Sequence, residues 1–423
     1  MKITGFHIAA IVSVGIYIFA IHFVPAQDLP NYVYQGFVFN RVAFHGDTFA
    51  GFFAINSYLP PNAIAPVVLG MLDAAIDPII SGKIFYFIVW LGLYSGFYRY
   101  IRVHIGRESV ISAAIAFYLT FNTTFILGYL NFLAGFALAV HAAATFRQRD
   151  GFFSIPLLTG LLLALYICHF IPLVFFGSYV LIDSLTQRRY DEIRKLAISA
   201  LPVIAIFIHY LLNVTIPITS VPQQFTTVFE AISAKFFMMC SPLIPLHRVK
   251  WVTELPQLVI AFNYIFSAML LAGICVLLVW NGIHRKFSIS YWLSLIYLAA
   301  AIFLPKYLGG VLIPGERALV LCVLNGIVLF STVNFPHSYQ RLICSVVISV
   351  DLIIVSYYSY NAALFSELVE KDQIPSESLL YPGHKLEGTN PFTHFHLYDD
   401  IRLHRATPVF GTGILKCQEV TAQ

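Results

Sequence analysis

Acidic side chains are scarce in this chain, 21 Asp and Glu among 423 residues, so their positions are informative. Asp28 stands in Gln27-Asp28-Leu29-Pro30-Asn31-Tyr32, just past an apolar run that ends at Val24. A carboxylate that is partly desolvated and within reach of a hydroxyl can serve as a general base. Its plainer roles are a solvated loop acid or the N-cap of a short helix starting near Pro30. Asp47, in Phe44-His45-Gly46-Asp47, is either a second polar group of the same site or a turn residue. Among the cations, Arg317 in Pro314-Gly315-Glu316-Arg317 opens a later apolar run, with Lys306 nearby. A guanidinium grips phosphate in a bidentate fork, and the N–H groups of a helix start add to an anion site. The alternative is an arginine that anchors its helix to lipid headgroups. Arg41 is a further phosphate-binding candidate. Tyr32, His45, Asn131 and His169 are candidates to line the pocket, His169 lying between two short apolar runs.

Other polar residues read as structural or as marks of a different function. Asp73 and Asp77 are four apart and would share one face of an interfacial helix. Asp351 sits midway along an apolar run, where a lone charge costs at least about 2.5–3.5 kcal/mol, so it must be paired, protonated or facing a polar cavity. His394, His396 and His404, with Asp399 and Asp400, match no zinc spacing, and no metal ligand is assigned. The six cysteines form no CxxC pair, which gives no sign of metal or redox chemistry at cysteine. Asn122-Thr123-Thr124 and Asn213-Val214-Thr215 are glycosylation sequons in form only.

What must position these residues follows from composition. Of the residues, 59% are hydrophobic and 11% charged, and the mean hydropathy is +0.79. Soluble domains carry about 25% charged residues, and no soluble fold of this size could hide so much apolar surface. In lipid only helices and closed barrels satisfy their backbone. The apolar runs of roughly 16–25 residues fit helices rather than the alternating segments of about ten residues found in barrels. The predicted spans are Thr4–Val24, Lys83–Val103, Val110–Leu127, Asn131–Phe146, Ile155–Cys168, Ile171–Leu185, Lys195–Val214, Leu258–Trp280, Ile289–Pro305, Arg317–Val333 and Arg341–Tyr360. The sequence thus predicts an all-α bundle of about eleven spans over residues 1–364, with Ala63–Ile76 as an interfacial helix in the first outer loop. A short polar tail follows at 365–423.

Lysine and arginine set the expected orientation. Short loops on one side hold Lys2, Arg99, Arg102, Arg107, Arg147, Arg149, Arg188, Arg189, Arg194, Lys195, Arg285, Lys286 and Arg341. The other side holds fewer, mostly in the long stretches Pro25–Pro61 and Thr215–Gln257. The expectation is a multi-pass protein of the plasma (inner) membrane, with a cytoplasmic N-terminus and an extracytoplasmic tail. Net charge is +4 without a basic block, which disfavours nucleic acid as a partner. No P-loop, dinucleotide or Ser-His-Asp signature is present.

Five short segments, in order along the chain, resemble the GT-C superfamily of multi-spanning membrane glycosyltransferases, in particular a large group of uncharacterised bacterial members. They are Asp28-Leu29-Pro30, Tyr58-Leu59-Pro60-Pro61-Asn62, Leu127-Gly128-Tyr129-Leu130-Asn131-Phe132, Cys168-His169-Phe170 and Pro314-Gly315-Glu316-Arg317. The resemblance implies a sugar carried on a polyprenyl phosphate or diphosphate, moved to a glycan or lipid acceptor on the extracytoplasmic face among membrane lipids. Asp28 matches the position of the base toward the acceptor, and Arg317 is the nearest match to the cation holding the carrier phosphate. Cofactors are left unknown, and a divalent metal ion is left open, because GT-C members differ on this. The chain departs from the best-defined members in having Leu29-Pro30 after Asp28 instead of a second acid, and in its small tail. A transporter or lipid flippase using Asp351 and His169, and a non-catalytic membrane scaffold subunit, are the alternatives.

Overall fold

Prolines in the first turn and short polar caps set where most helices begin. In a computed structural model, residues 3–21, 24, 26, 28–46, 53–106, 108–149, 153–213, 257–304, 307–308, 311–312, 314–331 and 415–417 are described, with parts of 342–367. The helices are α1 (Ile3–Phe19), α2 (Leu29–Asn40), α3 (Ile64–Leu72), α4 (Pro78–Ile105), α5 (Val110–Thr120), α6 (Thr123–Ile126) and α7 (Leu130–Gln148). There follow α8 (Ile155–Cys168), α9 (Phe170–Thr186), α10 (Tyr190–Asn213), α11 (Gln257–Ile283), α12 (Ile289–Phe303) and α13 (Pro314–Ser331). The chain is all-α apart from two small antiparallel pairs. β1 (Phe53–Ile55) pairs with β4 (Leu415–Cys417), and β2 (Tyr307–Leu308) with β3 (Val311–Leu312).

Among the described residues, α4, α7 and α10 are long and apolar enough to cross a membrane, and several shorter apolar helices accompany them. α4 starts earlier than its apolar run suggests. The Asp77 carboxylate accepts from the N–H groups of Ile79 (2.9 Å) and Ile80 (3.2 Å), and Pro78 occupies the first turn. This corrects the shared face expected for Asp73 and Asp77. Asp73 closes α3, Asp77 opens α4, and a turn lies between them. The expected third span also divides. Asn122 ends it by donating to Leu119 O (2.8 Å) and accepting from the Phe125 N–H (3.1 Å), so this sequon is buried hardware of a helix break.

The stretch 25–61 carries a helix that starts beside Pro30, as one reading of Asp28 allowed, and this helix runs on to Asn40. Val33, Tyr34, Phe37 and Val38 of α2 are buried, and α2 crosses α3 so closely that a Cβ on Gly36 would lie 2.5 Å from that of Leu69. Small residues at such crossings let helix backbones approach. The core runs between α4 and α7, with Trp90, Phe97 and Phe136 buried and the Trp90 Nε1–H donating to Thr120 Oγ1 (3.0 Å). The β1–β4 pair brings Leu415–Cys417 of the tail against Phe53–Ile55.

Candidate functional site

Asp28 takes the N-cap position of α2, with Pro30 in the first turn, yet its side chain makes no cap hydrogen bond. Its backbone is fixed from elsewhere, the N–H donating to Leu127 O (2.9 Å). Gly128 makes this approach possible. Its φ is +73°, and a Cβ there would lie 3.1 Å from Leu29 N and 3.2 Å from the Ala26 Cβ. The turn between α6 and α7 therefore holds the start of α2 by main-chain contact.

Asn131 joins a third segment to the same place. It is 2% exposed, its Nδ2 donates to Asn62 O (2.7 Å) and its Oδ1 accepts from the Ala65 N–H (2.7 Å). An α7 side chain thus caps α3 and holds the Pro60-Pro61-Asn62 turn. The end of α8 grips the other side of that turn. Ile167 O accepts from the Ala63 N–H (2.9 Å), and the Tyr166 hydroxyl donates to Leu59 O (3.1 Å).

His169 lies one step further on, with extended backbone, as both the last cap of α8 and the first of α9. It is 3% exposed and stands edge-on to Phe132, ring centroids 5.4 Å apart. Its Nε2 is 2.6 Å from Arg317 Nη1, and its Nδ1 is 3.1 Å from the Ile171 N–H. A neutral imidazole has one acceptor nitrogen. The guanidinium can only donate and carries charge, so it has the stronger claim on that lone pair. Burial and the Arg317 charge both push the His169 pKa well below the usual histidine value.

Arg317, in the first turn of α13, is 7% exposed. Its guanidinium carbon stands 4.5 Å from the Tyr129 ring centroid and 5.2 Å from that of Phe132. Its Nε has no hydrogen-bond partner among the described residues. Its charge nonetheless reaches Asp28. Burial raises the Asp28 carboxyl to about 7, and Arg317 partly opposes that rise. Tyr32 shares the same field. Burial first, then Asp28, raise its hydroxyl pKa, and Arg317 pulls against them. Among the described residues, no ion pair joins Arg317 to any acid. The acid and the guanidinium thus share one electric field, at the place where these sequence segments are held together.

Asp28, Tyr32, Asn131, His169 and Arg317 are thus brought together. Arg41 and His45 are not. The run 29–45 is continuous helix, α2 followed by a π-helical turn Arg41–His45, and it carries both residues to the opposite end from Asp28, roughly 20 Å away at helical rise. Arg41 instead stands over the Phe37 ring (5.2 Å), and His45 is exposed ahead of Gly46, a left-handed cap at φ 59°. Asp47, Lys306 and the tail histidines lie outside the described residues. The ring pair Tyr129 and Phe132 was not anticipated as a platform for Arg317. The signal was present in Tyr129-Leu130-Asn131-Phe132, whose aromatics flank the polar Asn131. Among the described residues, no three His, Cys, Asp or Glu side chains gather at one point.

The chain matches no protein-family model, no curated protein and no solved structure.

Proposed function

We propose that this chain is a multi-pass membrane glycosyltransferase of the GT-C type, with about eleven spans, acting on a polyprenyl-phosphate-linked sugar. The observation that carries the reading is the charge coupling of Asp28 and Arg317 at one end of the bundle. In the reaction, Asp28 accepts the proton of the acceptor hydroxyl as that oxygen attacks the anomeric carbon. The bond from that carbon to the carrier phosphate oxygen breaks, and Arg317 offsets the charge that develops on the leaving phosphate. A base with a pKa near 7 is ionised often enough to act at neutral pH and basic enough to take a proton. His169, Tyr129 and Phe132 hold the guanidinium with neutral partners, which leaves its charge for an incoming phosphate. On this reading the site faces away from the cytoplasm, and the acceptor is a glycan or a lipid.

The test is transfer from a panel of polyprenyl-phosphate-linked sugars by the purified, reconstituted chain and its Asp28→Asn variant. Loss of transfer in a folded variant supports the reading, and an undiminished rate removes Asp28 from the role.

A second reading, a transporter or flippase, rests on Asp351. It is 4% exposed, and both its carboxylate oxygens lack a partner among the described residues. Tyr94 and Tyr118 lie within its field. Loss of substrate flux in Asp351→Asn, with Asp28→Asn unaffected, would favour this second reading.

A further inference from the structure

The far end of the bundle holds a cavity that sugar transfer leaves unused. α4 and α7 both run away from the Asp28 end, and at their last turns Arg102, Val103, Gly106, Glu108, Arg147 and Gln148 line an open cavity of about 460 Å³. That volume falls within the usual range of small-molecule sites, about 300–1,000 Å³.

Its charge is unbalanced. Arg102 pairs with Glu108 (2.8 Å). Arg147 pairs with Asp183 (2.8 Å), but Arg189 takes the other oxygen of the same buried carboxylate, so one acid serves two guanidinium groups. Arg99 bonds only the neutral Gln148 (2.7 Å), and both Arg102 and Arg149 lie near enough to repel it. Arg102 and Arg147 line the cavity with Glu108, and Arg99, Arg149 and Arg189 stand close to them. Among the described residues, Glu108 and Asp183 are the acids that pair with this group. The cavity wall is open at Gly106, where a side chain would meet nothing within 4 Å. The helix that carries Asp183 also carries Leu181 and Leu185, which are 39% and 51% exposed. Guanidinium groups at a helix end provide a phosphate fork, and exposed leucines a footing for acyl chains.

We propose that this cavity binds the phosphate of an anionic lipid headgroup at the end of the bundle opposite Asp28. The inference rests on the membrane-spanning part of the proposed function and is independent of its sugar chemistry.

The test is thermal unfolding of the purified full chain in neutral detergent, titrated with phosphatidylglycerol, phosphatidylcholine or inorganic phosphate. Phosphatidylglycerol is expected to raise the melting temperature, with phosphatidylcholine inert. An Arg99→Gln/Arg102→Gln double variant is expected to need about tenfold more phosphatidylglycerol or worse, as loss of charge-assisted bonds implies. Glu108→Gln removes the carboxylate that competes for Arg102, so it is expected to need less, which keeps the test decisive should the double variant fail to fold. Equal effects of the two lipids, or an unchanged response in both variants, would overturn the proposal. Inorganic phosphate reproducing the whole shift would overturn the lipid assignment.

Discussion

Two acids at opposite ends of the bundle, Asp183 buried and Asp28 half-buried, meet arginine in different ways. Asp183 is 1% exposed and touches Arg147 and Arg189 directly, with Arg189 further held over the Phe146 ring (5.4 Å). Asp28 feels the charge of Arg317, while Arg317 itself rests on an imidazole and two aromatic rings. The first arrangement consumes its charges in holding α7, α9 and the start of α10 together. The second seats its guanidinium on neutral groups, which leave the positive charge of Arg317 available.

Substitution should therefore split the two ends cleanly. The largest effects are expected from the acids. Asp28→Asn should lower sugar transfer by about 10²–10⁴-fold, the usual contribution of a general base, with the protein still folded. Asp183→Asn should do the reverse, costing about 3–5 kcal/mol of stability by stripping a buried pair, while molecules that remain folded keep their transfer rate per site. Rates and unfolding curves measured on both variants would break the comparison if the two losses came out alike.

A further contrast concerns pH. The folded pKa of Asp28, about 7, lies above its ordinary value of 3.8, because burial disfavours the charged form. The protonated form is thus the one the fold favours. The stability it contributes is present below pH 3.8 and is lost as pH rises through 7. Asp28→Asn should accordingly be more stable than the parent at pH 8.5, by up to about 4 kcal/mol, and should match it at pH 4. Transfer by the parent should fall on the acid side with a midpoint near 7, as the base becomes protonated.

Smaller effects are expected where only the setting of the guanidinium changes. Arg317→Lys keeps the charge but loses the planar fork and much of the ring stacking, so transfer should drop by about 10–100-fold. His169→Gln retains an acceptor for Arg317 and should lose less than His169→Ala, which leaves a buried donor unmatched at about 1–3 kcal/mol. Gly128→Ala is expected to cost a similar amount, through strain at φ +73° and crowding of Leu29 N, and should depress transfer by shifting Asp28.

Much of this was legible in the sequence, and the gaps have physical causes. Long apolar runs marked the helix bodies, and α8 begins and ends at Ile155 and Cys168 as expected. Ends were read less well where a cap outran the apolar pattern, as Asp77 does for α4. The start of the helix Leu29–Asn40 was legible at Pro30, but Asn31, Tyr32, Tyr34, Gln35 and Asn40 dilute the apolar signal and concealed its length, and so Arg41 and His45 were grouped with Asp28 by closeness in sequence. Arg317 and His169 stood out as polar residues bordering apolar runs, but their contact spans 148 positions and no spacing reveals it. The grip of Tyr129 and Phe132 on Arg317 is likewise a matter of three-dimensional packing.

The central claim is that Asp28 and Arg317 share one electric field at the proposed site. It is tested most directly by an isotope-edited infrared titration of the Asp28 carboxyl in the full-length chain, with Asp28→Asn as the blank. A protonation midpoint near 7 is expected, moving higher in Arg317→Gln, where the opposing charge is gone. A midpoint near 3.8, or one that ignores the arginine substitution, would contradict it.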